Sequence, residues 1–72
     1  MELTVLEKDK IGGYNNYTIN LLKNSQEPYS KEIYDLNNKI VNIDDVIEML
    51  EDMSWKQNFV YEVTDGWGNL VG

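Results

Sequence analysis

One stretch of the chain, from Asn42 to Met53, has apolar and polar residues spaced with the period of an α-helix. Its apolar residues recur at intervals of three and four, so they share one side of a 3.6-residue spiral. Asn42 is a favourable N-cap, and the carboxylates that follow it lie where the helix dipole is positive. The pattern predicts an amphipathic helix. Its apolar side consists of Ile43, Val46, Ile47, Leu50 and Met53, with Met49 at the margin.

The polar side of this helix consists of five carboxylates, those of Asp44, Asp45, Glu48, Glu51 and Asp52. At about 100° per residue they occupy an arc of roughly 120°. Their span of roughly 12 Å gives about one charge per 3 Å, which is close to the roughly 3.4 Å between phosphates of a nucleic-acid strand. No lysine lies among them, although Glu–Lys pairs would add a few tenths of a kcal/mol each. This side is therefore either a substitute for phosphates or only a solvated surface.

Shorter runs with a two-residue period predict strands on both sides of the helix. Leu3–Glu7 and Tyr17–Leu22 are expected to pair across residues 8–16, where the Gly12-Gly13 doublet breaks regular structure. Phe59–Thr64 shows the clearest alternation. Residues 54–58, which include Trp55, are expected to connect the helix to this last strand.

The Asp65-Gly66 pair predicts a tight hairpin turn after Phe59–Thr64. With a two-residue turn, Leu70 lies opposite Tyr61 on the face that packs on the helix. Trp67 then lies on the other face, or at the loop tip if the turn is wider. In both cases Trp67 is expected to be at least partly exposed, and exposed tryptophans are enriched among interface residues.

The segment before the helix allows two interpretations. Pro28 is expected to end any preceding element. Beyond it, a helical stripe is formed by Tyr29, Ile33, Leu36 and Ile40. The Asn37-Asn38 pair instead suits a tight turn with positive φ, which favours a strand from Lys31 to Leu36 and a short strand from Lys39 to Val41.

Together these elements predict an α+β fold. We expect one domain, residues 1–72, in which a small and mostly antiparallel β-sheet is covered on one face by the amphipathic helix. With 72 residues, the core must be thin.

Composition excludes several kinds of chemistry. The chain contains no cysteine, histidine or arginine, which removes the usual thiol nucleophile, general base and neutral metal ligand. Carboxylate pairs on a convex helix are poorly placed for catalysis, and no phosphate-binding glycine motif is present. We therefore expect no enzyme activity, no catalytic residues, no cofactor and no metal site. No apolar run approaches a membrane span, and a cytoplasmic location is expected.

The net charge of −7 is concentrated in the second half of the chain. Residues 1–41 contain six acids and five lysines, whereas residues 42–72 contain seven acids and Lys56 alone. Nucleic acids and anionic membranes would be repelled by the second half, and a basic partner would be attracted. The candidate binding residues are Asp44, Asp45, Glu48, Glu51, Asp52, Glu62, Asp65 and Trp67.

The stretches YDLNNKIVNIDDVIEMLEDM and FVYEVTDGWGNLVG resemble small acidic proteins of phages and mobile elements of low-GC bacteria, some of which are similar to anti-CRISPR proteins. The resemblance rests on size, charge and element order. It includes no motif from which the roles of individual residues could be assigned. It implies an inhibitor in the bacterial host cytosol that fills a basic, nucleic-acid-binding surface of a host protein. Two alternatives stay open: a self-associating structural protein with a merely solubilising helix, and a regulatory module that binds a host protein without mimicry.

Overall fold

The computed structural model of the protein describes residues 1–24, 29–57 and 59–71. In this part of the chain the elements are β1 (Glu2–Lys8), β2 (Tyr14–Asn24), α1 (Lys31–Tyr34), α2 (Ile43–Gln57) and β3 (Phe59–Thr64). The strands form an antiparallel sheet in the order β1-β2-β3, and α2 packs on one of its faces. The predicted α+β class is confirmed.

The core lies between this face of the sheet and the helices. Alternation along each strand brings Leu3, Ile19 and Val63 side by side in the register of the sheet, and all three are buried. The helices contribute residues at intervals of three or four, because only that spacing keeps them on one side. The full buried cluster is Leu3, Val5, Ile19, Leu21, Tyr29, Ile33, Leu36, Ile43, Val46, Leu50, Phe59 and Val63.

The first hairpin is confirmed, with a tighter connection than expected. The loop between the strands spans residues 9–13, because Asp9 closes it. The Asp9 carboxylate accepts hydrogen bonds from the backbone N–H of Ile11 (3.0 Å) and of Gly13 (2.7 Å). The predicted break at Pro28 lies outside the described residues.

The preferred prediction of a strand from Lys31 to Leu36 is wrong. The chain forms the short helix α1 and then turns, which buries Tyr29, Ile33 and Leu36. These are three members of the helical stripe, and burial of that stripe outweighs the strand signal. The predicted turn is nevertheless present, since Asn38 has a φ of 65°.

Residues 37–41 run along the outer edge of β1. The backbone N–H of Leu6 donates to the carbonyl of Lys39 (2.9 Å), and the N–H of Val41 donates to the carbonyl of Leu6 (2.7 Å). Ile40 thereby forms an isolated parallel bridge with Leu6. The expected short strand Lys39–Val41 is thus a single bridge, and its partner is β1 rather than Lys31–Leu36.

Helix α2 is one turn longer than predicted. Asn42 caps it as expected, because its Oδ1 accepts from the N–H of Asp44 (3.0 Å) and of Asp45 (3.2 Å). The far end continues to Gln57, so the expectation of a connector from residue 54 is wrong, and Asn58 lies outside the described residues. Neither helix in the described ranges combines the length and apolar character needed to cross a membrane.

The chain turns back after β3 through a five-residue loop instead of a two-residue turn. The backbone N–H of Asp65 donates to the carbonyl of Asn69 (2.9 Å), and Gly68 has a φ of 85°. Leu70 therefore bridges to Thr64 and not to Tyr61. The prediction that Leu70 packs on the helix is wrong: it is 64% exposed. Trp67 lies at the loop tip, as the wider-turn alternative predicted.

Candidate protein-binding site

Helix α2 presents its carboxylates to solvent as one continuous surface. Asp44, Asp45, Glu48, Glu51 and Asp52, which we call the acidic ridge, are all exposed. The opposite side of the same helix is buried through Ile43, Val46 and Leu50. Because burial fixes the rotation of the helix about its axis, all five charges must point away from the sheet.

A lysine neutralises one end of the acidic ridge in part. The longer helix brings Lys56 within 3.5 Å of Asp52, four residues earlier. Both side chains are largely exposed, so the pair contributes only about 0.3–0.5 kcal/mol. The other ion pair among the described side chains joins Lys31 to Asp35 within α1. The described lysines of the first half therefore form no ion pair with the acidic ridge.

Trp55 lies on the same side of α2 as the acidic ridge, one turn beyond its C-terminal end, and was not among the predicted binding residues. It follows Glu51 by four residues and Asp52 by three, and its side chain is 85% exposed. Together with the ridge and Met49 it lines a shallow depression on the outer surface of α2. The sequence contained the signal, since continuing the helical period two residues past Met53 places Trp55 at the centre of the acidic arc.

The N-terminal end of the acidic ridge is held by a residue from the sheet. Glu7 on β1 accepts a hydrogen bond through Oε2 from the backbone N–H of Ile43 (2.9 Å). The Asn42 side chain accepts from the N–H groups of Asp44 and Asp45, and the N–H of Val46 donates to the Asn42 carbonyl (3.1 Å). The backbone N–H groups of residues 43–46 therefore all have hydrogen-bond acceptors. Glu7 was not identified from the sequence, because its role depends on a contact 36 residues away.

Tyr17 on β2 is influenced by charges from both the start of α2 and the loop after β3. Burial chiefly raises the pKa of its hydroxyl, and the nearby negative charges of Glu7, Asp65 and Asp44 raise that pKa further. Tyr17 is therefore neutral at physiological pH. Asp65 and Asp44 both act electrostatically on the Tyr17 hydroxyl, so each lies in the neighbourhood of this group.

Asp65 also organises its own loop. Its Oδ1 accepts from the backbone N–H of Trp67 and of Asn69, both at 2.9 Å. Hydrogen bonding from Asn69, and then from Trp67, lowers the pKa of Asp65. The carboxylate is consequently ionised over the physiological range and holds Trp67 at the tip of the loop.

A groove separates this loop from the start of β2. It has a volume of about 330 Å³, and Trp67, 84% exposed, forms one wall. We call it the Trp67 groove; its lining includes Tyr14, Asn15, Asn16, Asp65, Gly66 and Trp67.

Glu62 is the predicted site residue that does not join the others. In the register of the sheet it lies beside Asn20, which in turn lies beside Glu2. By strand alternation this row is on the face opposite α2. Glu62 therefore does not extend the acidic ridge, because its position in β3 directs it to the other side of the sheet.

No metal site accompanies these charges in the described ranges, where no three acidic side chains converge closely enough to hold an ion. The ridge carboxylates lie on the exposed side of α2. Geometry of this kind is suited to binding another charged surface.

No protein-family model matches the chain, and comparison with curated proteins and with solved structures gives no match.

Proposed function

We propose that the protein is a non-enzymatic inhibitor that occupies a basic, nucleic-acid-binding surface of a bacterial host protein. The supporting observation is the acidic ridge itself: five exposed carboxylates on one side of α2, of which the described lysines pair with Asp52 alone. Lysines and arginines that normally contact phosphates would contact these carboxylates instead.

Trp55 adds an apolar contact next to the C-terminal end of this charged surface. A binding surface made only of charges gives fast association but little discrimination between basic partners. Desolvating an exposed tryptophan in the interface supplies affinity and selectivity that charges alone do not. The ridge and Trp55 thus form one surface, with Trp67 and Asp65 as a second contact near its N-terminal end. In the bacterial cytosol, such an inhibitor would act as anti-CRISPR-like proteins do, by filling a groove without catalysing a reaction.

The direct test is capture of partners from a bacterial lysate at low salt, followed by elution with a salt gradient and with double-stranded DNA. We expect the bound protein to be a nucleic-acid-binding protein that DNA displaces. Retention that is unchanged between about 50 and 500 mM salt would contradict the proposal, since ionic contacts weaken steeply over this range.

A matched pair of variants separates the ridge from net charge. Replacing Glu48→Lys and Glu51→Lys lowers the charge of the ridge from −5 to −1 and should abolish capture. Replacing Glu2→Lys and Glu32→Lys changes the net charge equally at exposed sites outside α2, and should preserve it. If both variants capture the partner as well as the natural chain does, the partner is bound without mimicry.

A second candidate, self-association, is favoured by the outer face of the sheet. Leu22, Val60 and Leu70 are each more than half exposed there, and Leu70 lies next to Thr64 on that face. Light scattering over a range of protein concentrations distinguishes the candidates. A mass that doubles with concentration, and returns to that of a monomer in Val60→Lys, would support self-association.

A further inference from the structure

The Trp67 groove exists because β2 is longer than the strand beside it. β2 pairs with β1 from Tyr14 onward, but its pairing with β3 begins only at Thr18. Within the described residues, the edge of β2 before Thr18 therefore has no strand partner on the β3 side. The Asp65 loop folds next to that edge, and a methyl group on Gly66 would lie 3.7 Å from the Asn16 carbonyl oxygen.

Two aromatic side chains are left uncovered at this groove. Trp67 is almost fully exposed, and Tyr14 is 53% exposed. Both line the same space. Elsewhere in the described core, aromatic rings pack edge-to-face on one another, as Tyr29 does on Phe59 at 5.7 Å. Tyr14 and Trp67 instead offer free ring surface to a ligand.

The charged residue in the lining of the groove is Asp65, and the lining contains no lysine. Lys8 lies beside Tyr14 in the register of the sheet, outside the lining. Glu7 and Asp44 act electrostatically on Tyr17, which also borders the groove. The Asp65 carboxylate already accepts two backbone hydrogen bonds, but its charge disfavours an anion in the groove. A purely apolar group would leave the Asn15 and Asn16 side-chain amides without hydrogen bonds to the ligand. A cation with a flat, weakly hydrated surface can both stack on the aromatic rings and donate hydrogen bonds to the acceptors.

We infer that the Trp67 groove binds the guanidinium group of an arginine side chain on a partner protein. A guanidinium stacks on aromatic rings and offers five N–H donors in one plane, which suits the asparagine oxygens and the carboxylate at the rim. A lysine ammonium is more strongly hydrated and presents no flat surface. The volume of about 330 Å³ is at the lower end of ligand pockets and suits one side chain.

This site goes beyond the proposed phosphate mimicry and does not rest on it. The acidic ridge belongs to α2, whereas the groove belongs to β2 and the Asp65 loop. An arginine in the groove would fix the position of a partner at one end of the ridge. It would also bind if the ridge were only solvated.

The probe is a short neutral-backbone peptide, acetyl-Gly-Arg-Gly-amide, and its control contains citrulline, which has nearly the same shape without the charge. Two-dimensional ¹H–¹⁵N NMR follows the indole N–H signals of Trp55 and Trp67 together with the amide of Gly66. We expect saturable shifts at Trp67 and Gly66, with about tenfold weaker binding of the citrulline peptide. Equal binding of the two peptides would overturn the inference.

Trp67→Ala should remove the response, and Trp55→Ala, at an equally exposed tryptophan on α2, should retain it. Asp65→Asn keeps the Oδ1 acceptor that the loop uses while removing the charge, and should weaken binding severalfold. Shifts of the Trp55 indole signal without shifts of the Trp67 signal would show that the peptide is attracted to the acidic ridge alone. That result would refute binding in the groove. The ridge variant Glu48→Lys with Glu51→Lys should still bind the peptide, so failure of the proposed function and failure of this inference give different results.

Discussion

Reversing the charge at the centre of the acidic ridge should make the protein more stable. Glu48 has like-charged neighbours at all four helical contact positions: Asp44 and Asp45 in the turn before it, and Glu51 and Asp52 in the turn after it. Like charges three or four residues apart cost about 0.2–0.5 kcal/mol per pair on an exposed helix. Glu48→Lys turns four repulsive pairs into attractive ones.

The expected gain in the free energy of unfolding is about 1–2 kcal/mol at low ionic strength. In full, each of the four pairs would lose a repulsion and gain an attraction. The expected gain is smaller than that sum, because Asp52 is already paired with Lys56 and a lysine preceding an acid by four residues is the weaker orientation. For a domain of this size, the gain corresponds to a rise in Tm of roughly 7–13 °C. Glu48→Gln, which removes repulsion without adding attraction, should give about half the gain.

The assay is urea or thermal unfolding followed by circular dichroism at low and high salt. At about 500 mM salt the screening length falls below roughly 5 Å, and most of the gain should disappear. Glu2→Lys is the control, since it changes net charge equally on an exposed strand residue outside the ridge. The reasoning is refuted if Glu48→Lys stabilises no more than Glu2→Lys at low salt, or if its gain is the same at both salt concentrations.

This variant also separates function from folding. Under the proposed function, Glu48→Lys weakens partner binding while it stabilises the fold. Loss of binding in a more stable protein cannot be attributed to unfolding. It would mean that the ridge is maintained at a cost in stability, as binding surfaces commonly are.

Three further results are expected. Asn42→Ala should lower the free energy of unfolding by about 1 kcal/mol, because two amides lose their cap, whereas Asn42→Asp should lose little; equal losses in urea unfolding would contradict the capping role. Leu50→Ala should cost about 2–5 kcal/mol, since the side chain is fully buried, and a loss below about 1 kcal/mol would place it outside the core. The lowered pKa of Asp65 means that the stability it contributes is complete above the unfolded-state pKa of 3.8 and is lost as pH falls through the lower folded-state pKa. The difference in free energy of unfolding between the natural chain and Asp65→Asn should therefore shrink only in that acidic window, and parallel curves for the two proteins would disprove it.

Much of the fold was predictable because its signals are local. The α2 pattern needs only neighbouring residues to define an apolar and a charged side, and Asn42 caps amides two and three residues away. The β1–β2 pairing followed from two alternating runs joined by a glycine loop. The exposure of Trp67 likewise followed from its place beside a turn.

Errors arose where several local structures had similar propensity. Residues 31–36 suited a strand or a helix, and burial of Ile33 and Leu36 in the shared core decided for the helix. The Asp65-Gly66 pair suited a tight turn, but the Asp65 carboxylate, by bonding two later amides, enlarged the loop. That enlargement moved Leu70 to the outer face of the sheet.

Sequence by itself determined the composition of the surface on α2, because a helix with one apolar side has a single way to bury it, and the five carboxylates must then be exposed. Tertiary structure alone decided what lies next to that surface. Glu7 reached the start of α2, Glu62 was directed to the other face of the sheet, and Asp65 came close to Tyr17. Such neighbours depend on strand register and loop length, which are set by packing between residues far apart in the chain.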